Sequence, residues 1–164
     1  MIKILLLSDT HNFLDEKILK YAEPCHQIWH AGDIGTAAVT DKLKEIKTLV
    51  AVHGNIDGVD VRREFSEHQR FKCEDVDVWI THIGGSPGRY KPEITNLLQI
   101  KPPKLFICGH THILKVIFDK KYNMLYMNPG SAGNYGAHKV KTLLRFTINK
   151  AEIKDLEVIE FGKI

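Results

Sequence analysis

Ile2-Lys3-Ile4-Leu5-Leu6-Leu7-Ser8-Asp9-Thr10-His11 opens the chain with a nearly unbroken apolar run that stops at a carboxylate and an imidazole. The run, residues 2–8, is short and shows no alternation that would separate an inner face from an outer one. It reads as a strand buried on both sides. The polar residues after it stand beyond the carboxyl end of a strand, where α/β sheets gather their ligands.

The same rhythm repeats downstream. Asp15 to Tyr21 reads as an amphipathic helix with Leu14, Ile18 and Tyr21/Ala22 on one side. Ile28-Trp29 is a second short strand, ending in His30-Ala31-Gly32-Asp33. Residues 36–46 read as a helix with Thr36 as N-cap and Leu43 and Ile46 inward. Thr48 to Val52 is a third strand, turning at Gly54-Asn55. This β-α-β-α-β order implies parallel strands with crossover helices. The second half changes character: paired strands over Arg70–Cys73 and Val76–Thr81, a helix over 90–99 beginning near Pro92, then strands at 104–108, 113–118, 124–127, 140–148 and 152–160. Lys121-Tyr122-Asn123 and Asn149-Lys150 suit hairpin turns. The expectation is an α/β first half joined to a mostly antiparallel second half.

Bulk properties bound the function. A length of 164 residues suggests one domain, 1–164, with room for a proper core. Hydrophobic (43%) and charged (26%) fractions are those of an ordinary globular protein. The net charge of +3 comes from interleaved rather than blocked charges, which argues against a nucleic-acid platform. The opening apolar run is too short for a membrane span and lacks a small-residue cleavage site. Cys25, Cys73 and Cys108 form no CxxC pair and no zinc-finger spacing, so free thiols and a reducing, cytoplasmic location are expected.

Five fragments carry the chemistry: Asp9-Thr10-His11, Gly32-Asp33, Gly54-Asn55, His82 and Gly109-His110-Thr111-His112. Alone, each is commonplace; Gly-Asn is a common turn and a strand-end histidine is usually a hydrogen-bonded surface residue. Together, each just after an expected strand, they supply two carboxylates, four imidazoles and one amide, enough for two metal ions. The absence of thiolates from this set excludes a structural zinc site. A wholly oxygen set, as magnesium or calcium would want, is absent too. Mixed imidazole and carboxylate suits catalytic manganese, iron, nickel, cobalt or zinc. His30, His53, Asp57, Arg89 and His138 are neighbours whose reading stays open between site support and packing, and Asn128-Pro129-Gly130-Ser131 reads as a turn beside the site. Gly84 to Arg89 reads as a mobile loop.

These fragments resemble the five motifs of the calcineurin-like metallophosphoesterases. The short length, the Leu6-Leu7-Ser8-Asp9-Thr10-His11 opening and Asn128-Pro129-Gly130-Ser131 are similar to its small YfcE-like phosphodiesterase branch, and the resemblance runs from residue 2 to about residue 148. It implies an α/β four-layer α-β-β-α sandwich, two mixed sheets face to face with helices outside. It implies Asp9, His11 and His112 on a first metal, Asn55, His82 and His110 on a second, and Asp33 bridging both, with Asp33, Asn55 and His82 also serving catalysis. The implied cofactors are two divalent transition-metal ions, manganese foremost, with nickel, iron, cobalt or zinc as alternatives. The implied reaction is hydrolysis of a small phosphate ester, preferably a diester, by a hydroxide formed from a water shared by the two ions, which lower that water's pKa from about 15.7 toward about 7. Many members of the family carry a histidine directly after Gly-Asn as general acid; here Ile56 stands there. General acid catalysis is worth about 10²–10⁴-fold, so good leaving groups or another donor are expected. The resemblance extends to the small scaffold subunit of retromer, a protein-binding alternative on the same fold, and a nucleotide-binding regulator is a third reading. Self-association is left open.

Overall fold

The computed structural model describes residues 1–164. In chain order the elements are β1 (Ile2–Leu7), α1 (Glu16–Ala22), β2 (Gln27–His30), α2 (Ala37–Ile46), β3 (Thr48–Ala51), α3 (Val59–Glu64), β4 (His68–Cys73), β5 (Val76–Thr81), α4 (Pro92–Ile100), β6 (Leu105–Ile107), β7 (Leu114–Asp119), β8 (Met124–Pro129), β9 (Val140–Asn149) and β10 (Glu152–Lys163). They form two five-stranded sheets, ordered β10-β9-β1-β2-β3 and β4-β5-β6-β8-β7.

The opening run behaves as its composition dictates. β1 pairs parallel with β2 and antiparallel with β9, and Ile4 to Leu7 are fully buried. Alternation then sorts its side chains between two cores. Ile4 and Leu6 point between the sheets, where they meet Trp29, Val78, Ile80, Ile107, Met127, Leu144 and Phe146. Leu5 and Leu7 point the other way, against Ile18 of α1, Val39 and Leu43 of α2 and Val61 of α3. The outer face of the second sheet, Trp79, Phe106 and Tyr126, packs on Ile94 and Leu98 of α4. The layers are therefore helices, sheet, sheet, helix. Each fully buried aliphatic side chain contributes about 1.5–3 kcal/mol, so the strand cores dominate stability.

The second half is mostly antiparallel, as expected, through β4–β5, β7–β8, β9–β10 and β1–β9, while β5, β6 and β8 run parallel at the centre of the second sheet. Helix α4 is the crossover that returns the chain from β5 to β6 in the same direction, and the β7–β8 hairpin places β8 beside β6 with β7 at the edge. The β9–β10 hairpin leaves this sheet and completes the first one. Helix α3 was not expected. It is six residues long with one buried apolar residue, Val61, while Val59 is exposed, so it has no periodic stripe to read. Cys25, Cys73 and Cys108 are buried and free. No helix is long and apolar enough to cross a membrane.

Candidate metal centre

The loops after β1, β2, β3, β5 and β6 converge, and they bring all seven expected site residues together. Five of these adopt the left-handed backbone: Asp9 (φ 56°), His11 (45°), Asp33 (52°), His110 (70°) and His112 (59°). Outside glycine this conformation costs about 1–2 kcal/mol per residue and persists where the surroundings over-determine it. Backbone bonds between the loops supply that determination: Asp9 N–H to the Gly32 carbonyl (2.9 Å), His11 N–H to the Asp33 carbonyl (3.0 Å) and Gly109 N–H to the His82 carbonyl (3.0 Å). Gly32 has a φ of +98°, and a β-carbon there would lie 2.6 Å from the His82 ring. Only glycine lets this turn pass beneath that imidazole.

The donor atoms are held by one side and free on the other. Asp9 is fully buried; its Oδ2 accepts from the Ser8 hydroxyl (2.6 Å) and the His110 N–H (3.1 Å), and its Oδ1 has no hydrogen-bond partner. His82 Nδ1 donates to the Ala31 carbonyl (2.7 Å), which fixes the tautomer and leaves Nε2 without a partner. His11 Nε2 is buried and unpartnered as well. Asp9, His11 and His112 form one tight group of donor atoms, and Asp33, His82 and His110 form another. His112 Nε2 lies 3.1 Å from Asp9 Oδ1. Asp33 spans the groups, its Oδ2 3.5 Å from His11 Nε2 and its Oδ1 3.2 Å from His82 Nε2. Asn55 stands at the exposed mouth with its Oδ1 3.1 Å from His110 Nδ1.

The electrostatics match a cation site. Burial works against ionising Asp9, but His11 and His112 outweigh it and hold its carboxyl far below the usual range. Burial likewise disfavours the charged form of His82, and Asp33 and Asp9 reverse the balance and raise its pKa. Two buried carboxylates thus sit in a site that demands positive charge. Orphaned donors of both kinds, imidazole nitrogen and carboxylate oxygen, point inward, so the residues present fit a pair of divalent ions.

A buried shell holds the loops. Asp57 accepts three backbone N–H bonds, from Gly54 (2.7 Å), Ile34 (3.1 Å) and Gly35 (2.8 Å), so it both closes the Gly54-Asn55 turn and ties that loop to the one carrying Asp33. Asp57→Ala strands three backbone donors, two buried and one half-buried; we expect a loss of about 3–5 kcal/mol in denaturant unfolding, and a loss below about 1 kcal/mol would contradict this role. Arg62, which the sequence did not flag, donates to the carbonyls of Gly54 and Asn55 (both 3.2 Å) and of Asp57 (2.5 Å). Its Nη1 meets His53 Nε2 (3.2 Å), while His53 Nδ1 donates to the Phe65 carbonyl (2.8 Å), so His53 braces Arg62. Asn128 Nδ2 donates to the Gly109 carbonyl (2.9 Å) and the Ser131 hydroxyl to the Asp9 carbonyl (3.1 Å), which makes the Asn128–Ser131 turn a fastener for two ligand loops.

His30 is fully buried and serves the loops rather than the donor atoms. Its Nδ1 accepts from the Gly32 N–H (3.2 Å), and its Nε2–H faces the Thr10 hydroxyl (3.0 Å), which itself donates to the Ile34 carbonyl (2.8 Å). Burial pushes its pKa down from 6.5 to about 4. The unfolded chain therefore binds the extra proton between those values, and folding stability falls as pH drops through that window, by up to about 3 kcal/mol. In chelator, His30→Gln should show a shallower decline in urea midpoint from pH 7 to pH 4.5 than the parent; parallel declines would mean that His30 carries no such penalty.

The remaining neighbours divide. His138 donates from Nε2 to the Gly133 carbonyl (2.9 Å) and lies edge-on to His112, 5.1 Å between centroids. Arg89 is exposed on a loop that is tied down rather than loose: Lys91 N–H bonds the Gly84 carbonyl (3.2 Å) and the Tyr126 hydroxyl the Gly85 carbonyl (2.7 Å). Trp29 and Trp79 are core residues. Tyr90 bonds Asp119 (2.7 Å), away from the donors. Tyr135, unmarked by any sequence pattern, lies 5.0 Å from the His11 ring. Two clefts flank the donor cluster. One, of about 190 Å³, is lined by His53, Asn55, Arg62, Glu67, His82 and Lys91 among others. The other, of about 340 Å³, is lined by His11, Asn12, Gly35, Thr36, Ile56 and Tyr135.

Comparison with known proteins agrees with this architecture. Residues 2–151 match the family model of the calcineurin-like phosphoesterase superfamily domain. A probable metallophosphoesterase of Methanocaldococcus jannaschii is 26% identical over 132 residues, which is 77% of this chain and 66% of that protein. The chain thus spans slightly under two-thirds of that relative's length. Among solved structures, Vps29 of Entamoeba histolytica in complex with zinc superposes with a TM-score of 0.74 at 18% identity, covering 98% of this chain and 100% of that one. An archaeal protein described as a novel phosphodiesterase superposes with a TM-score of 0.71 at 22% identity, covering 96% and 100%. At these identities the structural matches establish the shared fold.

Proposed function

From the premise that the chain belongs to the calcineurin-like phosphoesterase superfamily, we propose that it is a metal-dependent phosphoesterase that hydrolyses a small phosphodiester. The observation that carries this is the set of buried, partnerless donors, Asp9 Oδ1, His11 Nε2 and His82 Nε2, aimed at a common space. Buried polar groups almost always find partners, so three orphans in one place mark atoms reserved for a ligand. Asp9, His11 and His112 would hold one ion, Asn55, His82 and His110 the second, and Asp33 both. Two divalent ions there, manganese foremost with nickel, iron, cobalt or zinc as alternatives, would activate water near neutral pH and offset the charge of the phosphate.

The chain's own residues do the rest. Ser8, the His110 N–H and the Ala31 carbonyl aim Asp9 and His82 before any ligand arrives, so binding needs little reorganisation. Asn55 and His110, at the mouth, stand where a substrate oxygen enters. The buried thiols fit a reducing compartment such as the cytoplasm.

The test is metal removal with chelator and restoration of manganese, nickel or zinc one at a time, with hydrolysis of bis(p-nitrophenyl) phosphate as the readout. At least one metal should restore turnover. Activity with none of them would sink the enzyme reading and favour the scaffold alternative, which draws support from the Vps29 superpositions.

A further inference from the structure

The two clefts beside the donor cluster differ in chemistry, and the difference bears on the substrate. The smaller one presents Arg62, Glu67 and Lys91, all ionic, around His53 and Asn55. The larger one contains no carboxylate, ammonium or guanidinium; its walls are His11, Asn12, Gly35, Thr36, Ile56 and Tyr135. Two of these are large apolar or aromatic side chains left in water, Tyr135 at 69% exposure and Ile56 at 45%. Each sits within a residue or two of the donors: Ile56 follows Asn55 directly, and the Tyr135 ring rests against His11 at 5.0 Å with a 41° tilt. The floor between them is fixed. Asn12 bonds the Ile34 carbonyl through its N–H (2.8 Å) and accepts the Thr36 hydroxyl (2.5 Å).

We infer that the Tyr135–Ile56 cleft is the subsite for a flat aromatic ring, of nucleobase or aryl type, on one arm of the phosphodiester. The inference rests on the phosphoesterase reading. A diester placed on the donors projects one arm to each side, so two unlike clefts select two unlike arms. The ionic cleft suits a hydrated, hydroxyl-bearing arm. The other offers the Tyr135 ring, which rests against His11, and the exposed Ile56 side chain as walls of one cleft, surfaces that a flat ring can cover. A flat ring covers both apolar surfaces and needs no hydrogen-bond partner there, so the slot reads ring shape rather than base identity.

Calorimetry on the manganese-loaded protein tests this with three probes: AMP, glycerol 3-phosphate and inorganic phosphate. AMP should bind more tightly than the other two. Base stacking on an exposed aromatic is worth a factor of about 5–10 at its low end. Tyr135→Ala should remove that advantage, bringing AMP down about 5- to 10-fold to the level of glycerol 3-phosphate, while Tyr135→Phe keeps it and manganese affinity stays the same in both variants. An equal loss for all three probes, or no AMP advantage in the parent, overturns the subsite while leaving the phosphate site intact. Failure of every probe to bind in the presence of manganese overturns the phosphoesterase reading and the subsite with it.

Discussion

Asp33→Ala should lower diester hydrolysis by more than about 100-fold, further than loss of any supporting residue around the site. Altering a group that merely orients a ligand costs about 10–100-fold in metal affinity or activity. Asp33 does more than orient. Its two oxygens face the two donor groups separately, Oδ2 toward His11 (3.5 Å) and Oδ1 toward His82 (3.2 Å). Truncation therefore removes a donor and a negative charge from both groups at once. It also strands the Ile56 N–H, which bonds Oδ1 at 3.1 Å. His53→Ala is the control. His53 braces Arg62 and the Phe65 carbonyl and offers no free atom to the cluster, so its loss should cost less than about 10-fold. A greater loss for His53 than for Asp33 would remove the bridging assignment. Manganese should raise the melting temperature of the parent, because a ligand bound only by the folded state contributes about 4 kcal/mol at a thousandfold excess over its dissociation constant. Asp33→Ala should lose most of that rise. Asp33→Asn separates charge from shape: it should keep the metal-free melting temperature and still lose the manganese response.

How much of this was legible in the sequence follows from where each residue gets its role. Asp9, His11, Asp33, His82, His110 and His112 could be read because their chemistry coincides with strand ends, and strands announce themselves as apolar runs. Their left-handed backbone could not be read, because all five residues involved are aspartate or histidine, types that also adopt ordinary backbone; the inter-loop bonds decide it. Asp57 was visible as a turn residue, but its bonds to Ile34 and Gly35 span 23 and 22 positions and have no local signature. Arg62 sat in an exposed-looking charged stretch, and its role depends on α3, a helix too short to show a period. Tyr135 lies in a loop among small residues, and only the tertiary approach of that loop to His11 gives it meaning. The helix expected between β5 and β6 is the crossover that makes them parallel, whereas the insertion of β8 between β6 and β7 has no local signature.

Ile56→His should raise the rate for diesters with poor, alkoxide leaving groups by up to about 100-fold, the lower part of the range for general acid catalysis. The leaving oxygen of such an ester needs a proton, and the nearby imidazoles of this chain have none to spare. His53 commits its Nδ1–H to the Phe65 carbonyl. His138 commits its Nε2–H to the Gly133 carbonyl, and burial lowers its pKa, so the doubly protonated form is scarce at neutral pH. His30 is sealed in the core and bonded at both nitrogens. His11, His82, His110 and His112 face the donor cluster. Ile56 is 45% exposed and opens onto the cleft beside His11, so an imidazole fits there without displacing core residues. Its backbone N–H, the group that bonds Asp33, is unchanged by the substitution. The measurement is the slope of log kcat against leaving-group pKa across a series from nitrophenyl to alkyl diesters. In the parent the slope should be steep, because charge develops on an unassisted oxygen; in Ile56→His it should flatten, with the gain confined to the alkyl end and none for nitrophenolate. Identical slopes would mean that the proton already comes from elsewhere, and that Ile56 belongs to the binding surface alone.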